Sequence, residues 1–236
     1  MKYRCVWFDL GLTLVQRPVA ASYRQVLAAF GAVKDQAQIE RAFYLADKTF
    51  MREYPHVLGG DGAAYFAWYL GLVNYHLGLQ LDLERCCTLF RTVRAQSDTP
   101  WQPIPGAKEL LAALHAAGVG TGLVSNWDDS CRAVLQNTGL AGLLDTVTVS
   151  CEVGAEKPDA AIFDAALQQT GYDAGQVLFV GDNYYDDVVG AQKVGIDCLL
   201  LAPYGRLGME EIHHPYTVPQ LADIGGVLGL MGESTT

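Results

Sequence analysis

Four short apolar runs in this chain each lead, at or just beyond their C-terminal end, to a polar residue or cluster, and helical patterns fill the intervals between them. Tyr3–Phe8 ends in Asp9, Val119–Val124 ends in Ser125, Thr146–Ser150 is followed closely by Lys157, and Val177–Val180 runs into Gly181 and Asp182. Short runs with β-branched and aromatic character read as buried strands. Helical patterns cover Ala107–Ala117, Asp129–Thr138, Ala160–Thr170 and Asp187–Val194. Such alternation predicts a parallel sheet with right-handed crossovers. Ligands of open parallel sheets bind beyond the carboxyl ends of the strands, so all four polar clusters are expected to meet in one crevice.

The interval from Arg17 to Gln102 breaks the alternation. It reads as successive helices over Ala20–Phe30, Gln36–Arg52, Ala63–His76 and Leu83–Ala95, with turn signals at Tyr54-Pro55 and Gly59-Gly60-Asp61-Gly62. The Pro-rich segment Trp101–Gly106 then leads back into the α/β pattern. An all-helical insertion directly after the first strand is expected to form a separate cap. Tyr65, Phe66, Trp68 and Tyr69 are expected to serve as its core rather than as a ligand platform. Gly232–Thr236 reads as a frayed tail.

Composition narrows the function classes. Half of the 236 residues are hydrophobic and 18% are charged, which suits a chain that buries a sizeable core. A net charge of −10 argues against a general nucleic-acid binder, because phosphate backbones recruit a surplus of Lys and Arg. The six cysteines form no CxxC pair and several lie in apolar runs, so they are read as reduced, in a cytoplasmic protein. The N-terminal apolar run is interrupted at Asp9 and reads as a strand, not a signal peptide. No uncharged apolar stretch is long enough to span a bilayer.

The four clusters themselves are Asp9-Leu10-Gly11-Leu12-Thr13, Ser125-Asn126-Trp127-Asp128, Glu156-Lys157-Pro158, and Gly181-Asp182 through Asp187. Their order, spacing and strand-end placement resemble the four motifs of the haloacid dehalogenase superfamily, and the resemblance covers nearly the whole chain. It implies an α/β fold: a Rossmann-like parallel-sheet core over residues 1–15 and 104–236, with an inserted α-helical cap over 16–103 that closes over the crevice and selects the substrate. It also implies a phosphatase-like hydrolase of a small phosphorylated metabolite. Asp9 would be the nucleophile that carries an aspartyl-phosphate, Ser125, Asn126 and Lys157 would contact the phosphoryl group, and Thr13 would order the first loop. Asp9, the Gly11 carbonyl, Asp182 and Asp187 would hold Mg²⁺, with Asp187 at or near the outer shell.

These residue types suit that chemistry. A carboxylate nucleophile splits one difficult displacement into two easier ones. Lys157 and Ser125 offer a cation and a donor to the phosphoryl oxygens. Three carboxylates in one dry crevice would repel one another, and a hard divalent cation relieves that repulsion.

One position departs from the family pattern. The usual DxDxT motif carries a second Asp that protonates the leaving group, and here that position is Gly11. A glycine has no proton to give, and loss of a positioned acid typically costs ~10²–10⁴-fold in rate. Slow turnover, or restriction to good leaving groups, is expected. Asp128 and Asp186 are candidate substitutes, and Gly11→Asp is expected to flatten the dependence on leaving-group basicity. Two alternatives stand beside the phosphatase: a non-catalytic binding or regulatory protein on the same scaffold, which Gly11 favours, and a 2-haloacid dehalogenase-like enzyme, which Asp182 and Asp187 disfavour. Arg17 is read either as a contact to a substrate anion or as a solvated hinge residue. His213 and His214, near Glu210 and Glu211, are read as surface residues.

Overall fold

The computed structural model describes residues 2–58, 62–96 and 100–229. The sequence readings at Gly59-Gly60-Asp61 and Gly232–Thr236 lie outside them. In chain order the elements are β1 (Cys5–Phe8), β2 (Val15–Gln16), α1 (Val19–Ala29), α2 (Gln36–Glu53), α3 (Gly62–His76), α4 (Leu83–Gln96), β3 (Gln102–Pro103), α5 (Ala107–Ala116), β4 (Gly120–Ser125) and α6 (Cys131–Thr138). There follow β5 (Thr146–Val149), α7 (Ser150–Val153), α8 (Ala160–Thr170), β6 (Val177–Gly181), α9 (Val189–Lys193), β7 (Asp197–Leu201), β8 (Thr217–Val218) and α10 (Ala222–Val227). The chain divides into two compact units: Met1–Gln16, Trp101–Arg206 and Glu210–Thr236 in one, Arg17–Pro100 and Leu207–Met209 in the other.

The first unit is built on a six-stranded sheet in the order β5-β4-β1-β6-β7-β8, with every neighbouring pair parallel. From β1 the chain lays β4 and β5 on one side, then crosses back to place β6, β7 and β8 on the other. Phe8 pairs with Leu123 on one flank and with Val180 on the other. Asp9, one residue further, therefore stands beside the strand ends that carry Ser125 and Asp182.

Helices pack on both faces of the sheet, and its central strands β1 and β6 are continuously apolar rather than alternating with polar residues. The two-residue period still sorts the side chains. Val6, Phe8, Leu123, Leu178 and Val180 join a core with Leu110, Leu111 and Leu114 of α5 and Val134 and Leu135 of α6. On the opposite face Phe179 meets Phe163 of α8 edge-on at 5.3 Å. Asp159 starts α8 by accepting the Ala161 N–H at 3.0 Å, and left-handed Gly139 and Gly171 end α6 and α8.

The second unit is four helices. A reciprocal capping box between Asp35 and Gln38 begins α2. Tyr23 is fully buried, packs edge-on against Phe43 and Phe90, and its hydroxyl donates to Asn74 Oδ1 at 2.5 Å. In the aromatic stretch of α3, Phe66 stacks on Phe90, Tyr65 and Tyr69 meet Phe50, and the Tyr69 hydroxyl donates to Asp47. Those three residues are half-buried and pack against other aromatic rings of the unit, with Phe66 also lining a groove, whereas Trp68 is 61% exposed and lies against Tyr54. No helix among the described residues is long and apolar enough to cross a membrane.

Candidate active site

The site assembles at the carboxyl ends of β1, β4 and β6. Lys157 is its centre: the side chain is buried, and Nζ donates to Asp9 Oδ1 at 2.6 Å and to Asp187 Oδ1 at 2.7 Å. Ser125 Oγ donates to the same Asp9 oxygen at 2.9 Å. Asp9 Oδ2 has no partner among the described residues. One carboxylate oxygen is thus held by a cation and a hydroxyl while the other is left open.

Burial alone would lower the Lys157 pKa, but Asp187 and Asp9 outweigh it and hold the ammonium charged. Asp187 moves the other way. Burial pushes its carboxyl up to about 7, Lys157 opposes the shift, and the charges of Asp9 and Asp182 add to it. Asp9, Asp182 and Asp187 are the one group among the described residues whose ligand atoms could share a cation, all within 4.8 Å of one another. His213, His214, Glu210 and Glu211 form no such group. Instead His214 Nε2 bonds the Cys198 carbonyl and Glu211 accepts from the Tyr185 hydroxyl.

The supporting contacts explain how so much charge is held in place. Fully buried Thr13 donates to Asp182 Oδ1 at 3.3 Å, which ties the first loop to the end of β6. Asp187 lies in a single π-helical turn, Tyr184–Val188, whose leading residue Asn183 donates its backbone N–H to Asp187 Oδ2 at 2.9 Å. Both Asp187 oxygens therefore already have protein donors. Gly181 permits this approach, since a Cβ there would stand 2.1 Å from Asp187 Oδ2.

The side chain of Asn126 bonds the loop that carries Lys157. Its Nδ2 donates to the Lys157 carbonyl at 2.9 Å and its Oδ1 accepts the Lys157 N–H at 2.7 Å. This side chain aligns the peptide of Lys157 and so aims the ammonium; it is a positioning residue.

The two candidate acids, Asp128 and Asp186, are both held by neighbouring donors. Asp128 is exposed and accepts from the hydroxyl and N–H of Ser130, which hold its carboxyl below the usual range and hence ionised at neutral pH. Asp186 accepts from the Asn183 amide at 2.7 Å. What stands over Gly11 is an indole. A Cβ built on Gly11 would lie 3.1 Å from Cζ3 of Trp127. The ring is braced by a bond from Nε1 to Ser130 Oγ at 3.1 Å and by Trp101, whose ring lies 4.9 Å away. An apolar ring thus stands where a side chain at position 11 would begin, and Gly11→Asp requires that ring to give way. Trp127 went unassigned in the sequence, where its only signal is a bulky residue directly after Ser125-Asn126 paired with a Gly at position 11.

Known proteins resemble this chain in sequence and in fold. A family model for hydrolases, described as haloacid dehalogenase-like hydrolase, matches residues 3–195. The mouse (Mus musculus) haloacid dehalogenase-like hydrolase domain-containing protein 3 is 27% identical over 244 residues, covering 100% of this chain and 97% of that protein. The pyrimidine 5'-nucleotidase YjjG of Escherichia coli K12 is 35% identical over 128 residues, covering 53% of this chain and 56% of the relative. The crystal structure of a phosphatase from Thermococcus onnurineus shares the fold, with a TM-score of 0.58 at 23% identity over 96% of this chain and 98% of that one.

Proposed function

The chain belongs to the haloacid dehalogenase-like hydrolases, and within that family we propose that it is a Mg²⁺-dependent phosphatase of a small phosphorylated metabolite. The observation that carries this reading is the Lys157 bridge: a buried ammonium spans Asp9 and Asp187 beside a third carboxylate, Asp182.

In the proposed reaction Asp9 attacks phosphorus through its open oxygen and becomes an aspartyl-phosphate, which water then hydrolyses. Lys157 and Ser125, which in the structure hold the other Asp9 oxygen, turn to the phosphoryl oxygens. Asn126 keeps Lys157 aimed, and Thr13 keeps Asp182 in place. The donor set fits a hard cation: clustered carboxylates, one of them driven toward protonation by burial with help from its neighbours' charge. Asp9, Asp182 and the Gly11 carbonyl would hold the ion directly, with Asp187 behind them. When bound, Mg²⁺ supplies charge neutralisation for the incoming phosphate. The same carboxylates weigh against attack on carbon, which needs no cation. Six cysteines without a disulfide support a reducing, cytoplasmic setting.

With Trp127 over Gly11, the leaving group departs without a proton from position 11. Acyl and aryl phosphates are the expected substrates, ahead of simple alkyl phosphates. The same indole favours the second reading, a binding protein that does not turn over. Turnover of p-nitrophenyl phosphate and acetyl phosphate with Mg²⁺, against EDTA and against Asp9→Asn, separates the two. Activity that needs both Mg²⁺ and Asp9 is the expected result. Folded protein with no Asp9-dependent turnover of either compound refutes the phosphatase and leaves the binding protein.

A further inference from the structure

The helical unit carries a concentration of positive charge that the proposed reaction does not use. Arg17, Arg91 and Arg94 line one groove of about 640 Å³, together with Gly62, Phe66 and Ala95, in a chain of net charge −10. Arg91 and Arg94 sit three residues apart on α4, so they are neighbours on one helix face.

Each guanidinium has an aromatic face beside it. Arg91 lies 5.3 Å from the Phe66 ring and Arg94 lies 5.8 Å from Phe90, while the two rings stack on each other at 5.8 Å with 12° between planes. These contacts fix the guanidinium planes but leave their N–H donors unused. Neither Arg91 nor Arg94 has a hydrogen bond or an ion pair among the described residues. Arg94 is half-buried, and burial and then the charge of Arg17 both disfavour its protonated form. Like charges are gathered here without a carboxylate for Arg91 or Arg94 to answer, around a groove large enough for a small molecule.

We propose that this groove is an oxyanion site: Arg91 and Arg94 grip a phosphate group through paired N–H donors, Arg17 adds charge, and Phe66 flanks the bound molecule. Guanidinium forks match phosphate oxygens two at a time, which a point cation does not. The phosphate can come from either of two sources, a second anionic group on the substrate or a separate small phosphate.

The first measurement is calorimetric titration of the full chain with inorganic phosphate in EDTA, for wild type, Arg91→Gln/Arg94→Gln and Arg91→Lys/Arg94→Lys. Circular dichroism establishes that each variant is folded. Affinity should fall at least about tenfold in the Gln pair, as expected for losing charge-assisted bonds. The Lys pair should recover part of it. Unchanged affinity in the folded Gln pair, or no phosphate binding by wild type, overturns the proposal.

The second measurement identifies the source, and this arm alone rests on the proposed phosphatase activity. KM is compared between an aryl phosphate with a distal carboxylate and one without. A rise in KM confined to the doubly anionic compound, alongside the lost phosphate affinity, assigns the groove to the substrate. Unchanged KM values with lost phosphate affinity assign it to a separate anion.

Discussion

Gly11→Asp is the substitution that tests most directly how this site differs from the common pattern. Restoring the carboxyl at position 11 brings back a general acid worth ~10²–10⁴-fold. At 1.36 kcal/mol per decade that is about 2.7–5.4 kcal/mol of barrier. The structure sets a cost against it. A Cβ 3.1 Å from Trp127 Cζ3 is tighter than an ordinary contact and asks the ring to give by a few tenths of an ångström before any carboxyl is added. The indole cannot retreat freely, because Nε1 is bonded to Ser130 and the Trp101 ring lies 4.9 Å from it. Overpacking of this kind costs ~1–3 kcal/mol. For a chain of this size that is a drop of about 2–12 °C in Tm. The single variant is therefore expected to be less stable and to gain no proton transfer. Gly11→Asp combined with Trp127→Ala makes room and should accelerate alkyl phosphates by up to ~10²-fold. The assay is the slope of log kcat/KM against leaving-group pKa for wild type, each single variant and the double, with Tm measured in parallel. A flattened slope in Gly11→Asp alone, at unchanged Tm, refutes the blocking role of Trp127. A flat slope in wild type refutes the absence of a proton donor.

Three further outcomes follow from the same geometry. Lys157→Met leaves Asp9 and Asp187 buried without their shared cation, and breaking a buried pair costs ~3–5 kcal/mol; thermal unfolding should show the loss, and Mg²⁺ should recover part of it. Mg²⁺ itself should stabilise the wild type by ~2.7 kcal/mol at a hundredfold excess over Kd, with Tm rising as the logarithm of its concentration, and an equal shift in Asp182→Asn would remove Asp182 from the metal site. Leu12 holds a left-handed backbone at φ +56° with its side chain 40% exposed. Relief of ~1–2 kcal/mol of strain exceeds the ~0.5–1 kcal/mol entropy cost of glycine, so Leu12→Gly should raise Tm slightly, and a lowered Tm would show that this side chain contributes more than its strain costs.

Much of the fold could be read along the chain because the relevant interactions are local or periodic. Apolar runs of four to six residues broken by Asp9, Ser125 and Asp182 marked three central strands, and the 3.6-residue patterns of α2 and α4 placed their ends within a residue of the structure. β7 escaped notice because Cys198-Leu199-Leu200-Leu201 has no β-branched residue and no polar cluster behind it. The helical pattern read from Asp187 is in fact the end of a π turn followed by the short α9, a conformation set by Asn183 and Asp187 bonding back on themselves. The motif placed Asn126 at the site, but its bonds to the Lys157 peptide could not be read, because an amide beside a phosphate-type motif looks the same in sequence whether it faces a ligand or the neighbouring loop. Trp127 could not be read at all. Its meaning depends on a residue 116 positions earlier, and only the fold makes a missing side chain and a large ring complementary.

That complementarity bears on whether the departure at Gly11 marks a functioning site or an abandoned one. Buried ion pairs are poor stabilisers, and apolar replacements of the same volume are often neutral or better. Here a buried lysine and three neighbouring carboxylates persist together, at the expense of an Asp187 carboxyl pushed up to about 7. Nothing in the packing of the sheet requires them, since the strands below are continuously apolar. Yet each is aimed by a neighbour: Lys157 by Asn126, Asp182 by Thr13, Asp187 by the Asn183 N–H. A scaffold kept for its fold alone gains nothing from such alignment, whereas a site that must seat a dianion beside a cation needs all of it. The changed residues, Gly11 and Trp127, lie on the proton-donor side only. On the proposed function, two tasks that the common pattern joins are thus separated: the groups proposed to receive the phosphoryl group are all present, and an indole stands at Gly11, where the proton donor would be.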